Sequence, residues 1–131
     1  MTTGLPSIDG DSAPFWEACR NRRLVLQRCT ECGGLQHYPR SLCVVCHSDD
    51  LEFVDATGRG VVHSFTVVHR SPDPEQFSPP YVVALIRLDE GPIMMSNVIG
   101  TDPDTVFCEQ PVRVDWRDLD DGNRLPVFRP A

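Results

Sequence analysis

The fold is decided by the stretch CTECGGLQHYPRSLCVVC, residues 29–46, which holds two Cys-x-x-Cys pairs separated by ten residues. The pairs are Cys29 with Cys32 and Cys43 with Cys46. Each pair can turn once around a small ion so that its two sulfurs converge, and two facing pairs complete a tetrahedron with Zn–S distances of about 2.3 Å. A closed tetrahedron leaves no open position for a substrate. The spacing therefore predicts a structural metal site.

Zinc is the ion that this site favours, although four thiolates also suit iron. A redox role is the alternative, because a Cys-x-x-Cys dithiol exchanges with disulfides when one thiolate is activated. Two pairs at this spacing favour coordination over exchange. His37 and His47 lie close to the pairs in sequence, and either could replace a cysteine as a ligand. With four sulfurs available, we expect neither histidine to bind the metal.

Length and composition fit a single soluble domain of 131 residues. Hydrophobic residues make up 40% and charged residues 24%, and no apolar run approaches the roughly 18 residues that a membrane span needs. The first six residues, MTTGLP, lack the basic start and apolar stretch of a signal peptide, so we expect a cytoplasmic protein with no membrane partner. Thiols stay reduced in that compartment, which favours metal binding over disulfides.

The charge balance disfavours nucleic acid as a partner. Nineteen acidic residues outnumber twelve basic ones, and the net charge is −7. Nucleic-acid binding draws most of its affinity from cationic contacts to phosphates. Single-strand-binding barrels use basic grooves with stacking aromatic residues, so this class remains an alternative function, but we expect no nucleic-acid partner.

Helix signals precede the cysteine pairs. Ser12 as N-cap, Pro14 in the first turn and an apolar face predict a short helix that ends near Arg22. Residues 1–10 before it are expected to form a loosely docked lead. A zinc ribbon is then predicted over residues 24–50, with strands at 24–26 and 35–38.

Short β runs follow the ribbon and predict a small barrel or sandwich. The predicted strands are 51–54, 60–68, 81–88, 93–99, 112–116 and 125–128. Gly58 and Gly60 indicate a close backbone approach or a bulge at the start of the second run. Residues 71–80 contain four prolines, which exclude this segment from a central strand and predict a long, stiff loop. The chain is thus divided into a lead and helix (1–23), a ribbon (24–50) and a barrel (51–131).

A family resemblance is carried by seven short segments in the expected order. They are LVLQRCTECG (24–33), YPR (38–40), CVVC (43–46), GRGVV (58–62), PYVVAL (80–85), DEG (89–91) and LPVF (125–128). In this order they resemble the family catalogued as domain of unknown function 35. The resemblance implies a mainly β fold, with a short N-terminal helix, a rubredoxin-like zinc ribbon and a five- to six-stranded OB-fold barrel. The segment FCEQPV (107–112) departs from the family pattern at Cys108, which leaves the contact surface there undefined.

The resemblance also implies a function. Family members accompany thiolase-like enzymes that make or break carbon–carbon bonds in acyl-CoA substrates, including the aldolases that shorten steroid side chains. The chain is therefore expected to be a non-catalytic accessory subunit that stabilises a thiolase-like or lipid-transfer-protein-like aldolase subunit and helps to shape its CoA or acyl channel. A free-standing acyl-CoA-binding protein or thioesterase is a further alternative. No Gly-x-Ser-x-Gly motif or phosphate loop occurs in the sequence.

Two arginines and one loop are candidate binding residues. Arg70 and Arg117 could form bidentate hydrogen bonds to CoA phosphates, although surface ion pairs with acidic residues explain them equally well. The loop is expected to contact the partner, since a proline-stiffened segment loses little entropy on docking; the alternative is a loop folded back on its own barrel. Its candidate contact residues are Phe77, Pro79, Pro80 and Tyr81.

The remaining reactive side chains are expected to have structural roles and no role in binding or catalysis. Cys19 and Cys108 are expected to be small buried hydrophobic residues. His63 and His69 share one face of a strand by their period of two and are expected to be partly buried. The acidic stretch of residues 118–123 lacks the spacing and the terminal glutamate of a calcium loop, so a solvated turn is expected.

Overall fold

A computed structural model of the chain describes residues 9–75 and 77–131. The expected lead of residues 1–10 therefore lies almost entirely outside the described residues. The first element is helix α1 (Ala13–Arg20), which has Pro14 in its first turn as predicted but ends before Arg22. Ser12 does not cap α1 with its side chain, because its hydroxyl accepts a hydrogen bond from the Asp9 N–H at 3.2 Å instead. Across the described residues, no helix combines the length and apolarity that crossing a bilayer requires.

A three-stranded antiparallel sheet surrounds the cysteine pairs. It contains β1 (Val25–Cys29), β2 (Leu35–Gln36) and β3 (Leu51–Asp55) in the order β2-β1-β3. The run at 51–54, predicted to belong to the barrel, is thus the third strand of the ribbon sheet. After Cys46 the chain returns to a position beside Cys29, where the Thr30 N–H donates to the Asp50 carbonyl at 3.0 Å. This path brings the run next to β1, with which it pairs. The second predicted strand ends at Gln36 and not at residue 38.

Five further strands close into a barrel with the order β4-β5-β6-β8-β7. They are β4 (Arg59–Val68), β5 (Tyr81–Leu88), β6 (Ile93–Val98), β7 (Pro111–Asp118) and β8 (Arg124–Pro130). Neighbouring strands pair antiparallel except β6 and β8, which meet in parallel through the single pair Val98 and Phe128. The predicted mainly β architecture of helix, ribbon and OB-type barrel is confirmed.

The core runs through both parts of the molecule. Strand β5 alternates buried and half-buried residues along its whole length, so that Val82, Ala84 and Ile86 point into the barrel. Helix α1 packs between β1 and β8 and contributes Phe15 and Trp16 to the same cluster of buried residues. Barrel and ribbon are therefore joined by one continuous core.

Gly60 makes the close backbone approach that the sequence predicts. A Cβ atom at this position would lie 2.5 Å from the Arg87 carbonyl oxygen on β5. The register of β4 against β5 also shifts between Val62 and Ser64, which is the bulge expected near this point. Only glycine lets the two strands approach so closely.

We expect Gly60→Ala to lower the free energy of unfolding by about 2–4 kcal/mol, because the strands must separate to admit the methyl group. Gly10→Ala is the matched control, since a Cβ atom at Gly10 meets nothing within 4 Å. Urea denaturation of both variants measures the difference. Equal midpoints for the two variants would contradict the close packing of β4 on β5.

Candidate metal centre and aromatic cleft

The four paired cysteines converge on one point. Their sulfur atoms all lie within 4.8 Å of one another, with Cys29 Sγ 3.5 Å from Cys46 Sγ and Cys32 Sγ 3.6 Å from Cys43 Sγ. A regular tetrahedron of sulfurs around zinc has edges of about 3.8 Å. The observed geometry fits such an ion. Within the described part of the chain these cysteines are the group of potential ligands that converges, and neither His37 nor His47 belongs to it.

Backbone N–H groups surround the sulfurs and favour their charged form. Cys32 N–H donates to Cys29 Sγ at 3.5 Å, Gly34 N–H to Cys32 Sγ at 3.4 Å and Val45 N–H to Cys43 Sγ at 3.3 Å. The N–H groups of Cys46 and Val45 lower the pKa of Cys43 to about 6, and the N–H of Cys32 is the main cause of the lowered pKa of Cys29. The pKa values of Cys32 and Cys46 are raised, because the N–H groups of Gly34 and Ser48 that lower them are outweighed by burial and by the neighbouring cysteine side chains. Each pair therefore contains one thiol that readily loses its proton, and thiolate is the form that binds a metal.

Two buried glutamines, which the sequence analysis missed, hold the second cysteine pair in place. Gln36 Nε2 donates to Gln27 Oε1 at 2.6 Å and to the Leu42 carbonyl at 3.2 Å, and Gln36 Oε1 accepts from Val44 N–H at 2.9 Å. Gln27 bonds both the N–H and the carbonyl of Arg40, at 2.9 and 2.8 Å. The loop that carries Cys43 is thus tied to β1 and β2. The signal in the sequence was one glutamine in each of the strands β1 and β2, both with side chains that face the loop.

We expect Gln36→Leu to weaken zinc binding by about tenfold, because the loop with Cys43 loses two backbone hydrogen bonds that position it. Gln110→Leu is the matched control. Gln110 is also buried and also hydrogen-bonds a loop N–H, that of Phe107, but it lies outside the ribbon. Competition with a chromophoric chelator measures the affinity. A Gln36→Leu variant that retains zinc as tightly as Gln110→Leu would show that the network is not needed for binding.

His37 lies outside the converging cysteine group and belongs to an aromatic cluster. Its ring centroid lies 5.2 Å from that of Phe15 and 5.4 Å from that of Tyr38, and Trp16 Nε1 donates to the Tyr38 hydroxyl at 2.9 Å. Burial lowers the pKa of His37 to about 4, and Nδ1 is buried with no hydrogen-bond partner among the described residues. The imidazole is therefore neutral at physiological pH.

This cluster forms one wall of a cleft of about 600 Å³. Helix α1, the chain after β2, the proline-rich loop and the barrel all contribute to it. The lining residues are Phe15, Trp16, His37, Tyr38, Phe77, Tyr81, Val83, residues 94–97, Leu125 and Pro126. The cleft lies over the seam between β6 and β8, which are joined by a single residue pair.

The proline-rich loop folds towards its own barrel at one point. The ring centroid of Phe77 lies 5.3 Å from that of Tyr81 on β5, and the Arg117 guanidinium lies over the Phe77 ring at 4.8 Å. Pro79 and Pro80 are exposed, whereas Phe77 and Tyr81 are half-buried. The aromatic side chains of the loop thus pack inwards and its prolines are presented to solvent, while the partner contact stays a prediction.

The predicted phosphate-binding arginines differ in environment. Arg70 is exposed just after β4, and a phosphate group can reach it. Arg117 is half-buried by its cation–π contact with Phe77. Phosphate binding by either arginine stays a prediction, to which Arg70 is the better suited by exposure.

The expectations for Cys108, His63 and His69 require correction, whereas those for Cys19 and for the turn at residues 118–123 are confirmed. Cys19 is fully buried as predicted, and burial raises its pKa to about 12, but Cys108 is exposed because it lies in the turn before β7. His63 and His69 are also exposed, because His63 lies at the bulge between Val62 and Ser64 and His69 lies just after the end of β4. The turn after β7 is a hydrogen-bonded surface turn, in which Asp121 accepts from Asn123 at 2.8 and 3.0 Å.

Fold and site together define a class of two-module proteins in which a four-cysteine ribbon precedes a closed OB-type barrel. Two family profiles match the modules in this order. The profile described as the rubredoxin-like zinc ribbon domain of ChsH2 matches residues 16–52, and the profile of the C-terminal OB-fold domain of ChsH2 matches residues 53–117.

Individual relatives identify the family. A solved structure described as the Ltp2-ChsH2(DUF35) aldolase is 44% identical, with a TM-score of 0.89 over 96% of this chain and 98% of that chain. A DUF35 domain-containing scaffold protein of Methanocaldococcus jannaschii is 30% identical over 82% of this chain and 80% of its own length. The chain therefore belongs to the DUF35 family.

A longer relative is similar over almost the whole chain. It is a probable enoyl-CoA hydratase alpha subunit of Thermomonospora curvata, 45% identical over 96% of this chain. The match spans only 39% of that subunit. The similarity thus concerns one part of a larger polypeptide.

Proposed function

We propose that this chain is a non-catalytic scaffold subunit that binds and stabilises a thiolase-fold enzyme acting on acyl-CoA substrates. The observation that carries the proposal is the near-complete match to a chain of the Ltp2-ChsH2(DUF35) aldolase, at 44% identity and a TM-score of 0.89. The names of the other relatives, a scaffold protein and an enoyl-CoA hydratase subunit, support a scaffold role and CoA thioester substrates. Steroid side-chain thioesters are one substrate class that the family resemblance favours.

The chemistry of the described residues supports a non-catalytic role. Four of the six cysteines point at one another in the metal site, and Cys19 is buried with its pKa raised to about 12, so its thiolate is scarce at neutral pH. Burial keeps His37 neutral but leaves it without a carboxylate partner among the described residues. Within the described residues, none of these five cysteines hydrogen-bonds a histidine or another base that could activate it.

Zinc has a structural role in this proposal. Cys29, Cys32, Cys43 and Cys46 would hold it as four thiolates, and the ion would join β1, β2 and the start of β3 into one rigid ribbon. Four sulfurs fill a tetrahedral shell, so the ion would supply cross-linking and no open site for substrate.

The exposed part of the proline-rich loop is the proposed partner contact. Pro79 and Pro80 face solvent, while the packing of Phe77 on Tyr81 fixes the base of the loop. A loop held in this way has little entropy to lose on docking. Arg70 is exposed at the start of the same loop, and in this proposal it would bind the phosphates of a CoA molecule at the shared interface.

We expect Pro79→Glu to weaken partner binding by about tenfold or more, because a carboxylate would have to be desolvated in the interface. Pro74→Glu is the matched control, an exposed proline of the same loop outside the proposed contact. Isothermal titration with the partner enzyme measures both affinities. If both variants bind as the wild type does, the loop is not the contact.

The proposal as a whole is tested by co-expression with a thiolase-like aldolase subunit of the Ltp2 kind from the same genome. We expect the two chains to elute together in size-exclusion chromatography and the partner to lose solubility or activity when expressed alone. The proposal fails if no complex forms and the isolated chain turns over an acyl-CoA by itself.

A further inference from the structure

We infer that the aromatic cleft is a binding site for a neutral, ring-bearing organic molecule whose carbonyl oxygen accepts a hydrogen bond from Tyr38. This inference concerns a ligand of the chain itself and does not depend on which enzyme the chain accompanies. It rests on the size, the neutrality and the polar groups of the cleft.

The size and position of the cleft are those of a ligand site. Its volume of about 600 Å³ lies within the range of roughly 300–1,000 Å³ that small-molecule pockets occupy, and such pockets favour the junctions between modules. Here the walls come from α1, the ribbon exit, the proline-rich loop and the barrel seam.

The lining selects a neutral ligand. Charged residues make up 24% of the chain, yet none of the described residues that line the cleft is Asp, Glu, Arg or Lys. Burial keeps His37 uncharged as well. A phosphate-bearing molecule would be desolvated here, and the charged group beside the cleft, the Arg117 guanidinium, is covered by the Phe77 ring, which disfavours the nucleotide end of a cofactor in the cleft.

The shape of the lining favours rings. Phe15, Trp16 and Tyr38 stand at 5.0–6.4 Å centroid separations and offer aromatic faces and edges to a ring. Met94 and Met95 lie in the barrel wall of the cleft, and their flexible thioethers adapt to an irregular apolar surface.

One polar group of the aromatic wall has a fixed orientation and can bind a ligand. The Tyr38 hydroxyl accepts a hydrogen bond from Trp16 Nε1 at 2.9 Å, so its orientation is fixed. Its own proton makes no hydrogen bond to the described residues and can be donated to a carbonyl oxygen. Ser96 and Asn97, also in the lining, already donate to the Pro126 and Val82 carbonyls. Among the lining hydroxyls, Tyr38 is thus the one whose oxygen is held by another side chain while its proton is left to orient the ligand.

The test uses three probes, 1-tetralone, its hydrocarbon counterpart tetralin, and coenzyme A. Binding to the zinc-loaded chain is followed by ¹H–¹⁵N NMR at the two tryptophan indole N–H groups. Trp16 lines the cleft and Trp116 does not, so Trp116 is an internal control. We expect 1-tetralone to shift the Trp16 signal alone, with a Kd of about 0.1–1 mM for a ligand of this size.

Two variants and one control variant separate the ring contacts from the hydrogen bond. Tyr38→Phe should lower the affinity for 1-tetralone by about fivefold, because one net hydrogen bond is lost. The affinity for tetralin, which has no carbonyl group, should not change. Met95 is exposed at the mouth of the cleft, and Met95→Glu should lower the affinity for both 1-tetralone and tetralin. Ile93 is exposed on the same strand but outside the lining, and Ile93→Glu should lower neither affinity.

The inference is overturned if 1-tetralone moves neither indole or both indoles equally at millimolar concentration, or if coenzyme A shifts Trp16 and 1-tetralone does not. It is also overturned if equilibrium dialysis shows that the assembled complex with the partner enzyme no longer binds 1-tetralone, because the partner itself would then fill the cleft. Complex formation is measured separately by size exclusion, so a failure here leaves the scaffold proposal standing.

Discussion

Replacing Cys29 with serine is expected to abolish zinc binding and unfold the ribbon. Zinc contributes about 10–16 kcal/mol to the folding of isolated zinc-finger peptides, and Cys29 is a buried member of the converging cysteines and the last residue of β1. A hydroxyl cannot replace the thiolate as a ligand at neutral pH. The zinc content should fall from about one ion per chain to near zero, and binding to the partner should be lost with it.

Cys108→Ser is the control for this experiment, because Cys108 is exposed and outside the cysteine cluster. It should keep full zinc content and partner binding. Elemental analysis and far-ultraviolet circular dichroism, with and without added zinc, measure the effect. A Cys29→Ser protein that retains one zinc per chain and forms the complex would show that the four-thiolate interpretation is wrong.

Replacing Trp16 with alanine is expected to produce the largest loss of stability among the cleft residues. Trp16 is 6% exposed, packs edge-on against Phe15 at 5.0 Å and is part of the core shared by helix, ribbon and barrel. Truncating a buried tryptophan costs about 3–5 kcal/mol, which for a chain of this length lowers the melting temperature by about 10–20 °C.

Trp16→Phe isolates the role of the indole N–H. It keeps an aromatic ring in the core but removes the hydrogen bond to Tyr38, so we expect a loss of only about 1 kcal/mol. Differential scanning calorimetry compares the two variants. Similar melting temperatures for Trp16→Ala and the wild type would mean that α1 is not packed on the barrel as the structure has it.

Local signals in the sequence predicted most of the architecture. The cysteine spacing placed the ribbon, the alternation of apolar residues in 81–88 placed β5, and Gly60 marked the close approach of two strands, because each of these features acts within a few residues of its own position. The partner of the strand at 51–54 was not predictable in this way, since its pairing with β1 depends on the path of the chain around the cysteine cluster.

The cleft could not be predicted from the sequence for the same reason. His37 was considered only as a neighbour of the cysteines, but its side chain turns towards Phe15, far away in sequence. Likewise, His63 and Cys108 appeared to belong to apolar segments, but His63 lies at the bulge of β4 and Cys108 in the turn before β7, and both are exposed. Long-range packing decides these positions.

Three consecutive residues connect the metal centre with the cleft. Gln36 hydrogen-bonds the loop that carries Cys43, and His37 and Tyr38, which follow it, form the cleft wall. If zinc orders this segment, a ligand in the cleft has less conformational entropy of the segment to remove when it binds. The coupling between zinc binding and ligand binding is then reciprocal. We therefore expect occupation of the cleft to raise the affinity of the four cysteines for zinc, and the order of the ribbon to determine how rigidly the cleft wall is held.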